Sequence, residues 1–119
     1  MKKQLDLVKE GHIKFRAPVS ALPTLIPEDR SNFRHKLMLG EVEEYLIGAR
    51  NKDLINIAKE LSDILYTVYG TILEHGLQDK MEEIFAEVCN SNMSKDYSEY
   101  KFIKGPNYFE ADIKKFFSE

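Results

Sequence analysis

The chain has 119 residues, enough for one domain and too few for two separate cores. It is 43% hydrophobic and 31% charged with a net charge of -3, which argues against a dedicated nucleic-acid or membrane-surface binder. No apolar run approaches the length of a membrane span, and the single cysteine, Cys89, rules out an intramolecular disulfide or a Cys-rich zinc site.

In chain order, residues 2–10 are periodic enough for a short helix, with Leu5 and Val8 apolar. Asp6, Lys9 and Glu10 interrupt any apolar signal core, so a cytoplasmic location is expected. Residues 16–27 hold three of the four prolines and predict an extended, irregular segment. Pro27 followed by Glu28 and Asp29 marks a helix start, with the helix running to about Arg50. Asn51-Lys52-Asp53 is a short break in which Asp53 is an N-cap. The next helix is expected from Leu54 to about His75, stopped by Gly76 in the left-handed region. A further helix is predicted from Gln78 to Asn90, opened by the acids Asp79 and Glu82. The 96–119 tail turns polar and aromatic. Within it Lys104-Gly105-Pro106-Asn107 is a turn, residues 99–104 could pair as a short strand, and residues 110–117 suit a last helical turn. The expectation is one all-α domain over residues 1–119, a bundle of four to five helices with irregular ends.

Two of these helices share one wheel. At about 100° per residue, Met38, Leu39, Val42, Tyr45, Leu46 and Ala49 form an apolar arc with Glu41 and Glu44 at its edge. Ile57, Leu61, Ile64, Leu65, Val68 and Ile72 form the same arc on the next helix, with Glu60 and Asp63 at the same edge. Spacing alone carries nothing: with 20 acids, about three such i,i+3 pairs arise by chance, and there are four. The matched placement is what matters. The short break favours antiparallel packing, which lets the two acid pairs converge. Four close carboxylates repel unless cations neutralise them, and oxygen ligands suit a hard divalent ion, Mg²⁺ first and Mn²⁺ second. A di-iron carboxylate bundle would want Glu-x-x-His pairs, and the sequence has none. His12, His35 and His75 lack ligand spacing and are read as surface or helix-end residues; Cys89 is read as a small apolar packing residue.

Glu41-Val-Glu-Glu44 followed by Glu60-Leu-Ser-Asp63-Ile-Leu-Tyr-Thr-Val-Tyr-Gly70 resembles the ExxE…ExxD signature of the all-α nucleoside triphosphate pyrophosphohydrolases, the MazG-like superfamily. Ala17-Pro-Val19 with Arg30 and Arg34, the Ser91-Asn-Met-Ser-Lys95 segment and the Lys104-Gly-Pro-Asn-Tyr108 turn resemble the phosphoribosyl-ATP pyrophosphohydrolase-like branch. Gly40, where relatives often carry another acid, and Cys89, where they often carry histidine, depart from the pattern. The resemblance implies an α-helical homodimer or homotetramer that hydrolyses a nucleotide between its α and β phosphates, giving a nucleoside monophosphate and pyrophosphate. It implies Glu41, Glu44, Glu60 and Asp63 as Mg²⁺ ligands and catalytic carboxylates. Arg34, Asn92, Lys95 and Lys104 become candidate substrate contacts. The alternative is a non-catalytic interaction module that keeps the helical scaffold.

Overall fold

The computed structural model describes residues 1–117. It is all-α: α1 (Lys2–Phe15), α2 (Glu28–Arg50), α3 (Leu54–Glu74), α4 (Met81–Met93) and a single 3-10 turn, Lys114–Phe117. The described residues hold no strand, only an isolated antiparallel bridge between Asp96 and Ile103, so the pairing expected over 99–104 shrinks to one contact. No described helix is long and apolar enough to cross a membrane. The chain divides into two compact units, Met1–Gln78 and a second beginning at Asp79.

In the first unit α1 runs five residues beyond its expected end. Gly11 weakens an isolated helix by about 1 kcal/mol relative to alanine. Here the Tyr66 hydroxyl fills the space where a Gly11 side chain would project, and His12 is buried with its Nδ1 donating to the Pro18 carbonyl at 3.0 Å. Packing therefore carries the helix through the glycine to Arg16, whose left-handed backbone (φ 59°) ends it. The extended segment after it is tied to the end of α3. Ser20 donates its backbone N–H to the Leu73 carbonyl at 2.9 Å and its hydroxyl to the Glu74 carbonyl at 2.7 Å. Thr24 donates to the His75 carbonyl at 2.9 Å, and Gln78 Nε2 donates to the Ser20 carbonyl at 2.8 Å. Gly76 adopts φ +66°, as the stop requires, and a side chain there would run into the Leu22 carbonyl.

Helices α2 and α3 pack side by side, and their register is antiparallel. Arg30 meets Glu74, Arg34 meets Thr71 and Thr67, Glu41 meets Glu60 and Asp63, and Gly48 lies against Asn56 and Ile57. Lys52 turns the corner with φ 54°, and Asp53 caps α3 by accepting from the Asn56 N–H at 3.1 Å. The seam between the helices is polar: Arg34, Glu60, Thr67 and Glu74 are all buried. The apolar arcs, expected to form the core, are only partly covered: Ile72 is buried and Ile57, Ile64 and Val68 are half-buried, while Leu39 is 49%, Val42 46%, Leu61 46% and Leu65 51% exposed. Among the described residues only Leu5, Val8, Ile72, Leu73 and Ile84 are fully buried hydrophobic side chains. A shallow apolar groove of about 460 Å³ between α1 and α3, floored by Leu7, Val8, Leu65 and Tyr69, continues that open surface.

The second unit holds α4 and the tail. Its helix begins at Met81, three residues later than expected, because Gln78–Lys80 form a turn. Asp79 therefore precedes the helix, and Glu82 with Glu83 occupies the first turn, where acids meet the positive dipole end. At the other end α4 continues to Met93, where Ser91, buried, donates to the Phe109 carbonyl at 2.8 Å. Glu87 accepts from the Asp112 N–H at 2.8 Å and from Lys115 at 3.2 Å, and these bonds hold its carboxyl below the usual range. The tail is thus pinned to α4 at two points, while Tyr97, Tyr100 and Phe102 are exposed.

Candidate metal centre

The middle of the polar seam gathers acids from both helices. Glu41 comes from α2, and Glu60 and Asp63 come from α3 one turn apart; one carboxylate oxygen from each lies within 4.8 Å of the others. Glu60 is buried, while Glu41 and Asp63 are half-buried and open to solvent. At that separation each like-charged pair costs about 1 kcal/mol in water and ~3–4 kcal/mol at an effective dielectric of about 20. The Glu41 carboxyl is held above its ordinary range by burial first and then by the charges of Asp63 and Glu60. Because the folded chain binds that proton more tightly than the unfolded one, Glu41 favours the fold at low pH. That contribution is lost as pH rises through its raised pKa.

Among the described residues, one cation is ion-paired with the cluster. The Lys59 ammonium lies 2.8 Å from Asp63 and 3.3 Å from Glu60, and these bonds, Asp63 first, push its pKa above the ordinary value. Its side chain is two-thirds exposed. Lys59 is absent from the sequence-based candidate set, although Lys59…Asp63 at i,i+4 is a spacing that sequence alone offers.

The donor set fits a hard divalent cation. All three candidate donor atoms are oxygens, and an octahedral shell at about 2.1 Å would span at most ~4.2 Å between opposite donors, a small contraction from the 4.8 Å cluster. Among the described residues no histidine or cysteine joins them, a donor set that suits a hard cation over a soft one. Glu44, the fourth expected ligand, is exposed on α2 and lies outside this trio, although its charge reaches Glu41.

The remaining sequence candidates divide. Arg34 is buried and turned inward: Nε donates to Thr71 at 3.0 Å, Nη2 donates to the Thr67 carbonyl at 2.7 Å, and Nη1 lies 3.2 Å from Glu74. A side chain at Gly70 would collide with this guanidinium, so the bare helix face there is what admits it. These contacts account for Arg34 without a ligand. Asn92, Lys95 and Lys104 belong to the second unit. Asn92 is exposed in the last turn of α4, Lys95 follows it with its N–H donating to the Asn92 carbonyl at 3.1 Å, and the Lys104 ammonium lies over the Tyr108 ring at 5.1 Å. Glu74, the buried partner of Arg30 and Arg34, is absent from the sequence-based candidates; its signal is the presence of opposite charges on the inward edges of both wheels.

A comparison with the curated proteins finds no match. The model of one family, phosphoribosyl-ATP pyrophosphohydrolase, matches residues 8–92, which span α2, the acid cluster and α3 and reach the last turn of α4. That match covers well over half of the chain and contains every residue of the polar seam, so the chain belongs to the phosphoribosyl-ATP pyrophosphohydrolase family, within the MazG-like all-α superfamily.

Proposed function

We propose that the chain hydrolyses a nucleoside triphosphate, or a phosphoribosyl-ATP-like nucleotide, between the α and β phosphates, releasing the nucleoside monophosphate and pyrophosphate. The observation that carries this reading is the convergence of Glu41, Glu60 and Asp63 within 4.8 Å in a member of a pyrophosphohydrolase family. These carboxylates hold Mg²⁺, or Mn²⁺ in its place, and Glu44 serves as the fourth acid. A bound divalent ion supplies neutralisation of phosphate charge and a lowered pKa for water. The chain's own part is positioning. The buried Glu60 is fixed by helix packing, Asp63 and Glu41 face solvent where a polyphosphate can arrive, and one carboxylate of the four orients the attacking water. Asn92, Lys95 and Lys104 are proposed phosphate or base contacts; Arg34 is left out, its donors being engaged within the fold. The proposed location is the cytoplasm, and the proposed substrate is a nucleotide rather than a nucleic acid. The test is product analysis by ³¹P NMR over a panel of nucleoside triphosphates and phosphoribosyl-ATP, with Mg²⁺ and with EDTA. Equal monophosphate and pyrophosphate, abolished by EDTA, is expected; nucleoside diphosphate and orthophosphate would overturn the bond assignment. A folded chain that binds no metal and turns over nothing would favour the interaction-module alternative.

The open apolar arcs support a homodimer or homotetramer. Covering a half-exposed leucine or valine is worth about 1 kcal/mol, and Leu39, Val42 and Leu46 of α2 lie on the same wheel sector as Leu61 and Leu65 of α3, so the hairpin presents them together. A second copy of the hairpin presents the same exposed apolar residues and would cover them in kind. Sedimentation velocity at micromolar concentration is expected to give at least a dimer, and Leu61→Lys is expected to shift it toward monomer. A wild-type monomer under those conditions would contradict the assignment.

A further inference from the structure

We infer that Lys59 is a built-in counterion of the acid cluster, holding the carboxylates together before a divalent cation enters and being displaced when it does. The inference rests on the metal-site reading above and adds a role for a residue outside that set. The Lys59 ammonium bridges the two α3 acids, 2.8 Å from Asp63 and 3.3 Å from Glu60. Glu60 is buried, with 6% of its side chain exposed, and a buried carboxylate without a partner is costly. Among the described residues, Lys59 is the cation that meets it. The position also bears on the metal directly: an ammonium bonded to both acids occupies oxygen lone pairs that a divalent ion must take, and it repels that ion at close range. Displacement is easy, because the Lys59 side chain is 67% exposed and can swing into water without leaving a cavity. The backbone need not move, since Lys59 and both acids lie on the same two turns of α3.

Two consequences separate this role from an ordinary surface pair. Removing the ammonium tightens metal binding, and it weakens the metal-free protein more than the metal-loaded one. The test is calorimetric titration of Mg²⁺ or Mn²⁺ into the nucleotide-free full chain, comparing wild type with Lys59→Met and Lys59→Arg, alongside thermal unfolding with and without metal. Lys59→Met is expected to bind metal roughly tenfold more tightly, and its melting temperature should fall below wild type only in EDTA. Lys59→Arg, which keeps a cation, is expected to stay near wild type. If wild type binds metal and Lys59→Met binds it no more tightly, the counterion role fails while the metal site stands. If wild type binds no metal, the metal-site reading itself fails.

Discussion

Replacing Glu74 with alanine is expected to destabilise the protein by about 3–5 kcal/mol, the cost of breaking a buried ion pair from one side. The Glu74 side chain is fully buried and receives Arg30 through two bonds, 3.1 and 2.8 Å, and Arg34 at 3.2 Å. Burial already depresses the Arg34 pKa, with the Glu74 charge as the opposing influence. Without Glu74, Arg34 becomes a buried cation 6% exposed with no counter-charge, and it cannot move aside, being bonded to Thr67 and Thr71 and packed on Gly70. A domain has only about 5–15 kcal/mol to lose, so Glu74→Ala should be largely unfolded at modest urea concentrations. Glu74→Gln, which keeps an acceptor and loses the charge, should fall between. Urea midpoints measure this; a loss below about 1 kcal/mol for Glu74→Ala would contradict the account of the seam.

Glu60→Ala and Asp63→Ala are expected to lower turnover by about 10³-fold or more, equivalent to roughly 4 kcal/mol of transition-state stabilisation. These variants should fold. Each removes one charge from a cluster whose members repel, and the metal-free protein should be as stable as wild type or slightly more so. The contrast with Glu74 is the useful part. Glu60 and Glu74 are both buried acids on the inner face of α3, yet Glu74 has two arginines against it and Glu60 has one exposed lysine and like charges. Loss of stability without a specific effect on turnover is expected at Glu74, and the reverse at Glu60. Circular dichroism and urea unfolding alongside pyrophosphate release separate the two; full activity in both Glu60→Ala and Asp63→Ala would sink the carboxylate site.

The boundaries of α2 and α3 are legible in the sequence because their ends carry local chemistry: Pro27 with acids behind it, Asp53 as a cap and Gly76 as a left-handed stop. The acid trio is legible in outline, since equal placement on two antiparallel wheels brings Glu41 to Glu60 and Asp63. Which face turns inward is not legible. A wheel reports that one side is apolar, and the natural expectation is that this side is the core of the same chain. Here the buried ion cluster and the carboxylates take the α2–α3 seam, and Leu39, Val42 and Leu46 of one stripe and Leu61 and Leu65 of the other are left exposed. The wheel is the same whether a stripe is covered by its own chain or by another copy. The overrun of α1 through Gly11 and the late start of α4 were equally beyond local signals, because Tyr66 and His12 packing decides the first. The second follows from the turn at Gln78–Lys80, where the Gln78 side chain is tied to Ser20.

Whether the seam carboxylates form a divalent-metal centre is tested by a Mn²⁺ titration followed by electron paramagnetic resonance, on wild type and on Glu60→Gln. The expected result is a saturable site in wild type, competed by Mg²⁺ and lost or greatly weakened in Glu60→Gln while the variant's circular dichroism is unchanged. Equal Mn²⁺ binding in the two proteins, or none in wild type, would contradict it.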